Sequence, residues 1–263
     1  MRPTLLVRVA AGDITRWRSD AIATSANAGL CGNKTPSYWR FREKRDRDPD
    51  GAIGCVRLEE GKPYANVDGQ VHEAAGPELA SSLALLARTS GTILKGGSGT
   101  WRGSLLPSST GGLVACPAGS AVRTPSFGAL RQYTDSVVHV VAPDGRHQSH
   151  WTASGTLPLL RNAFIAAIAQ AEEAGAASLA VPSIGCGVNG WPPPVAARAA
   201  LDSVEAWAAR DGGAGTSTSL RRIDFVLLGA SELAAWRRVA SDIFGEVHEA
   251  GDDGVHSWSL SFL

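Results

Sequence analysis

The sequence lacks the features that mark membrane, secreted and highly charged nucleic-acid-binding proteins. No stretch approaches the ~20 consecutive apolar residues that a membrane-spanning helix needs. Residues 1–17 contain no apolar core that leads to a signal-peptide cleavage site. The 25 basic and 25 acidic side chains cancel, so no global electrostatic attraction to nucleic acid or anionic membrane is expected. These absences predict an intracellular protein, in the cytoplasm or nucleus, without a membrane or nucleic-acid partner; we also expect a monomer.

Cysteine is also scarce. Cys31, Cys55, Cys116 and Cys186 form no C-x-x-C pair and no Cys/His spacing typical of zinc. Without a secretory signal, they are expected to be reduced thiols in an intracellular protein. We therefore predict no metal site and no cofactor.

What is present is the alternation of strands and helices that is typical of a three-layer α/β domain. Strands are predicted at residues 5–10, 20–25, 113–116, 136–142, 178–182 and 222–229. Helices are predicted at residues 67–87, 157–174, 192–210 and 232–244, and the alternating tail 255–263 reads as an added edge strand. The 263 residues are expected to form one domain, with insertions at about 34–65 and 89–112 and a C-terminal extension at about 245–263.

Four polar or glycine-rich loops follow predicted strands or precede helices, where α/β proteins bind ligands. Residues 12–15 place Asp13 at the end of a strand. Its carboxylate could accept a hydrogen bond from an exocyclic amine, or it could be a helix N-cap. Residues 25–27 end on Asn27, which suits ribose hydroxyls or an Asx-turn.

The third and fourth loops carry more chemistry. Asp68 and His72 are four residues apart and share a helix face. They could form an acid/base pair, or Asp68 could be the helix N-cap and His72 a surface histidine. Residues 183–190 hold three glycines before a helix, which is typical of a backbone nest for a diphosphate. The literal G-x-G-x-x-G of Gly185, Gly187 and Gly190 is interpreted as accidental, because no acidic ribose ligand follows at the right distance.

In order along the chain, these segments resemble the macrodomain, an ADP-ribose-binding module. The resemblance rests on residues 12–15 (GDIT), 24–27 (TSAN), 67–79 (VDGQVHEAAGPEL), 116–124, 138–143 and 183–192. The resemblance spans roughly residues 4–240 and is closest to the MacroD-type ADP-ribosyl hydrolases. It implies a three-layer α/β/α fold, with a central mixed, mostly parallel sheet and helices on both faces.

The resemblance also implies roles for individual residues. Asn27 would hold the distal ribose, Asp68 would be catalytic, and His72 would support Asp68. The ligand-binding residues would be Asp13 at adenine, with Ile14, Thr24, Ser183, Ile184, Gly185, Cys186, Gly187, Val188, Asn189, Gly190 and Trp191. A rival match to the catalytic motif at residues 50–53 has Gly54 where the histidine belongs, so Asp68 is preferred.

The chain departs from the family pattern in three places. Thr24 replaces the first asparagine of the NAAN-like segment, which is expected to weaken ribose contacts. Residues 29–66 replace the glycine run that shapes the distal-ribose pocket, although Gly29 and Gly32 remain. Asn189 replaces an aromatic residue and removes a stacking surface, whereas the aromatic two residues later is kept as Trp191.

The resemblance implies binding of ADP-ribose and hydrolysis of its C1″ derivatives. The substrates would be protein mono-ADP-ribosyl esters, O-acetyl-ADP-ribose or ADP-ribose 1″-phosphate. One alternative is a non-catalytic reader of ADP-ribosylated proteins. A second is an RNA- or protein-binding module that uses the basic and aromatic residues of 34–50; we favour a surface flap for this segment, because three aspartates dilute its charge.

Overall fold

An eight-stranded sheet runs through the described part of the chain. The computed structural model describes residues 4–27, 30, 66–89, 94–95, 113–114, 116–146, 148–152, 155–209, 218–245, 249–250 and 255–261. The predicted insertion 34–65, which includes the basic and aromatic segment, lies outside these residues, as does most of 89–112.

The strands are β1 (Thr4–Ala11), β2 (Ala21–Ser25), β3 (Leu94–Lys95), β4 (Leu113–Val114), β5 (Ser120–Pro125), β6 (Ser136–Val141), β7 (Ser178–Val181), β8 (Arg222–Leu227), β9 (Glu249–Ala250) and β10 (His256–Ser261). The helices are α1 (Val67–Ala75), α2 (Pro77–Thr89), α3 (Thr156–Glu173), α4 (Pro193–Ala208) and α5 (Ala230–Phe244). Short 3-10 helices lie at Ile14–Arg16, Gly128–Gln132 and Gln148–His150.

The sheet has the order β5-β6-β2-β7-β8-β1-β10-β9. Its five central strands, from β6 to β1, are mutually parallel, whereas β5 and β10 pair antiparallel to their neighbours. The mixed, mostly parallel sheet predicted from the resemblance is therefore confirmed. The tail strand β10 pairs with β1, and only the two-residue β9 lies outside it.

Alternate side chains of the central strands pack on opposite faces of the sheet, as the period-2 geometry of a strand requires. On one face, Val138 and Val140 belong to a core formed with helices α3, α4 and α5. On the other face, Val137 and Val141 pack with apolar residues of α1 and α2. Helices on both faces give the predicted three layers.

Two sequence predictions needed correction. The single periodic segment 67–87 is two helices, because Gly76 ends α1 with a φ of +74° and Pro77 begins α2. Residues 113–114 pair with Leu94–Lys95 in a separate two-stranded sheet instead of joining the main one. The main-sheet strand β5 was not predicted, because its sequence SAVRTP shows no regular alternation of polar and apolar residues and ends in proline.

No helix in the described part of the chain is long and apolar enough to cross a membrane.

Candidate functional site

A cleft of about 240 Å³ opens where neighbouring parallel strands end. Its walls come from the carboxyl ends of β1, β2, β7 and β8 and from the start of α1. Of the predicted site residues, it brings together Ile14, Asn27, Asp68, Ser183, Gly185, Gly187, Val188 and Asn189. Ile14 and Asn189, which are 175 residues apart in the sequence (189 − 14), therefore meet in one place.

The glycine-rich loop after β7 is held by its own backbone. Gly185 and Gly190 have φ values of +87° and +70°, a region that glycine adopts without strain. The amide of Trp191 donates to the Gly185 carbonyl over 3.0 Å, which closes the loop. Within the described residues, no backbone carbonyl accepts from the amides of Gly187 and Val188. Gly187 is exposed and lines the cleft, so its amide can bind an anion there.

Trp191 lies behind this loop, in the hydrophobic core, and is only 1% exposed. Its indole Nε1 donates to the Pro143 carbonyl over 2.8 Å, and its ring stacks on Trp151 with centroids 5.1 Å apart. A Cβ atom on Gly185 would lie 2.8 Å from Trp191 Cδ1, and one on Gly145 would lie 2.4 Å from the same ring system. The indole therefore supports the loop from behind, and ligand contact by Trp191 stays a prediction.

Other residues of the loop anchor it to the core. Ile184 is fully buried in the core, and Asn189 ties the loop to the end of β6, since its Nδ2 donates to the Ala142 carbonyl over 3.0 Å. Burial, with a smaller contribution from the nearby Glu232 carboxylate, raises the pKa of the Cys186 thiol to about 12. Cys186 is therefore a neutral thiol at physiological pH.

Asp68 is buried at the start of α1 and reaches the cleft wall. The N-cap of α1 is Asn66, whose Oδ1 accepts from the Gly69 amide over 2.8 Å. Asp68 is therefore not the helix cap, which was the alternative role weighed from the sequence. Its Oδ1 instead accepts a 3.2 Å hydrogen bond from the Thr24 hydroxyl.

His72 lies one turn further along α1, with Nε2 3.9 Å from Asp68 Oδ1. It is 7% exposed, so it is not a surface histidine. Its ring is 6.2 Å from that of His139, a fully buried residue of β6. Burial, with a smaller contribution from His72, lowers the pKa of His139 to about 3.

Asp13 caps the first 3-10 helix. Its Oδ1 accepts from the amide of Thr15 over 2.9 Å and from the Thr15 hydroxyl over 2.7 Å. Among the described residues, the cleft is lined by its neighbours Gly12 and Ile14 rather than by Asp13 itself. Contact between Asp13 and adenine stays a prediction.

Sequence reasoning missed several residues of the cleft. Val226, Leu228 and Glu232 line it from the end of β8 and the first turn of α5. The strand-end rule that identified the other loops would have found them if it had been applied to β8. His139 was also missed, although it is the only polar residue between Val137 and Val141.

Comparison with known proteins agrees with this geometry. The family model described as Macro domain matches residues 59–200, more than half of the chain. The chain belongs to the Macro domain family. A Macro domain-containing protein of Listeria monocytogenes is 27% identical over 236 residues, which cover 89% of this macrodomain and 96% of the relative. An O-acetyl-ADP-ribose deacetylase of Citrobacter rodentium is 28% identical over 204 residues, which cover 78% of this chain and 81% of the relative.

Solved structures show the same fold. The Oceanobacillus iheyensis macrodomain with ADP has a TM-score of 0.60 at 18% identity, covering 91% of this chain and 97% of that one. A Trypanosoma brucei macrodomain in complex with ADP-ribose has a TM-score of 0.54 at 18% identity, and the match covers 88% of this chain and 68% of that one. At these identities the likeness concerns the fold alone.

Proposed function

We propose that this macrodomain binds ADP-ribose in the cleft and hydrolyses derivatives at its C1″ carbon. The observation that carries the proposal is that one cleft joins a buried carboxylate, an asparagine and a glycine-rich loop, namely Asp68, Asn27 and residues 183–190. The relatives named O-acetyl-ADP-ribose deacetylase support a hydrolase. The proposed substrates are mono-ADP-ribosyl esters of proteins, O-acetyl-ADP-ribose and ADP-ribose 1″-phosphate.

Each part of the cleft has a separate role in this proposal. The amides of Gly187 and Val188, in the loop 183–190, bind the diphosphate, and this fixes C1″ beside Asp68. Asn27 hydrogen-bonds the distal-ribose hydroxyls through its amide oxygen and nitrogen. Much of the rate acceleration comes from holding the reacting groups in this geometry.

Asp68 positions a water molecule and accepts its proton as the water oxygen bonds to C1″. The C1″–O bond breaks, and the leaving group departs with the electron pair as a carboxylate, acetate or phosphate. General-base assistance of this kind contributes ~10²–10⁴-fold. Thr24 holds the carboxylate in place through its 3.2 Å hydrogen bond.

The test compares three substrates side by side. The protein is incubated with ADP-ribose 1″-phosphate, O-acetyl-ADP-ribose and a protein that is ADP-ribosylated on glutamate, and turnover is measured. Calorimetry with ADP-ribose reports binding separately. We expect binding and turnover of at least one substrate; binding without turnover of any of them identifies a reader, and the absence of binding at millimolar ADP-ribose contradicts the whole proposal.

A further inference from the structure

His139 is a polar residue in the middle of an otherwise apolar, fully buried strand. It is 0% exposed, and its Nε2 lies 3.1 Å from the hydroxyl of Thr124 on the adjacent strand β5. Its other ring nitrogen, Nδ1, is buried and has no hydrogen-bond partner among the described residues. A buried polar atom without a partner is costly, so such an atom in a folded protein points to a bound water molecule or ion.

Two further metal-ligating side chains lie next to this histidine. Asp68 and His72 project from the same face of α1, because residues four apart in a helix are neighbours. One ligand atom from each of Asp68, His72 and His139 lies within 4.8 Å of the others. All three side chains are buried, and they come from a helix and a strand that are packed together.

We propose that Asp68, His72 and His139 bind one divalent transition-metal ion of the zinc type, contrary to the absence of a metal site predicted from the sequence; while the ion is bound, Asp68 serves it as a ligand instead of acting as the base. Two imidazoles and one carboxylate suit zinc and its neighbours in the first transition row, whereas magnesium and calcium prefer oxygen ligands alone. Three protein ligands with an open fourth position are typical of catalytic zinc sites. Of the three residues, Asp68 also lines the cleft, whereas His72 and His139 are not among the residues that line it.

The distances fit such an ion after a small adjustment. Bonds of about 2.0–2.2 Å in tetrahedral geometry place ligand atoms about 3.4 Å apart. His72 Nε2 and Asp68 Oδ1 are already 3.9 Å apart, and no pair of ligand atoms exceeds 4.8 Å. Side-chain torsions that close the cluster by about 1 Å complete the geometry.

The surroundings also prepare the ligands. The hydroxyl of Thr124 can accept from Nε2–H of His139, which leaves the lone pair of Nδ1 for the metal; hydrogen bonds of this kind orient metal-bound histidines. Thr24 restrains the carboxylate of Asp68 in the same way.

Direct metal binding tests the proposal, and this readout does not depend on hydrolysis. Chelator-treated protein is titrated with Zn²⁺ by calorimetry at pH 7.5, with Mg²⁺ as the comparison. We expect one Zn²⁺ per chain and no Mg²⁺ binding. His72→Gln and His139→Gln should each weaken Zn²⁺ binding at least about tenfold, whereas the exposed control His150→Gln should bind like the wild type.

A second measurement covers the case in which His139→Gln does not fold. Co²⁺ replaces Zn²⁺, and its visible absorption reports the ligand set in the wild type and in His72→Gln. The site is supported if the wild type shows a tetrahedral cobalt spectrum without a thiolate-to-cobalt band and if His72→Gln loses that spectrum. The proposal is overturned if the wild type binds no metal, if a thiolate band appears, or if the folded histidine variants bind as tightly as the wild type.

Discussion

The hydroxyl of Thr24 donates a 3.2 Å hydrogen bond to Oδ1 of Asp68. Thr24 is fully buried in β2, and Asp68 belongs to the first turn of α1. The bond therefore fixes the carboxylate of a helix against the neighbouring sheet. From the sequence alone, Thr24 was a departure expected to weaken ribose contacts; in the structure it contacts the proposed base.

Thr24→Val keeps the shape of the side chain but removes this donor. Hydrogen bonds to charged groups contribute about 1.5–3 kcal/mol, so we expect kcat to fall about 10–100-fold with a small change in ADP-ribose affinity. Thr24→Ser retains the hydroxyl and should restore most of the lost turnover. Steady-state kinetics and calorimetry measure the two effects; equal kcat values for the valine and serine variants would show that the bond does not serve the reaction.

Asp68 and Asn27 should separate catalysis from binding. Asp68→Ala should lower kcat about 10²–10⁴-fold while ADP-ribose affinity changes little, because the base acts in the transition state. Asn27→Ala should weaken both, since ribose contacts exist in the ground state as well. His72→Ala should have the milder effect of a residue that supports Asp68.

The matched control for these variants is Asp242→Asn, which alters an exposed acidic side chain of α5. It should leave kcat and affinity unchanged. Full activity of Asp68→Ala would instead assign catalysis to another group, with Asp50 of the insertion 34–65 as the first candidate.

Two glycines of the same loop should behave differently. A Cβ atom at Gly187 would meet nothing within 4 Å, whereas one at Gly185 would clash with Trp191 at 2.8 Å and require a φ of +87°. Gly187→Ala should therefore leave the free energy of unfolding nearly unchanged but weaken ADP-ribose binding, and Gly187→Glu should abolish binding. Gly185→Ala should destabilise the protein by about 1–3 kcal/mol.

Urea unfolding and calorimetry on the purified variants check both expectations. If Gly187→Glu binds ADP-ribose as tightly as the wild type, the ligand occupies another place. If Gly185→Ala is as stable as the wild type, Trp191 does not hold the loop.

The sequence predicts the central strands well, for a physical reason. The strands β6, β7 and β8 are apolar runs that are buried on both faces, and such runs have a strong pattern. The edge strand β5 has no such pattern, because neither its polar residues nor its final proline is typical of an inner strand.

Some residues of the candidate site could likewise be predicted from the sequence, and others could not. Motif order identified Asn27, Asp68 and residues 183–190, which lie in loops or at helix starts with recognisable chemistry. Glu232, in the first turn of α5, was missed because the strand-end rule was not applied to β8, whereas His139 escaped because it lies in the middle of a regular strand. Only the packing of those elements brings Glu232 to the cleft and His139 to Asp68 and His72.

Acid should destabilise the protein through His139. Its pKa is about 3 in the folded state and near 6.5 in an unfolded chain. As the pH falls below 6.5, the unfolded chain binds a proton that the folded protein binds only near pH 3, so stability is lost across this window. Between pH 7.5 and 5.5, this group should cost about 1 kcal/mol of unfolding free energy.

His139→Gln removes this titration. It should therefore reduce the loss of unfolding free energy between pH 7.5 and 5.5 by the amount attributed to His139. The measurement is urea unfolding at pH 7.5 and 5.5 with a chelator present, so that metal binding does not contribute. The exposed control His150→Gln should keep the wild-type difference between the two pH values. An equal difference in His139→Gln and the wild type would mean that His139 accepts its proton as readily in the folded protein as in the unfolded chain, and that the strand β6 is open to water at this point.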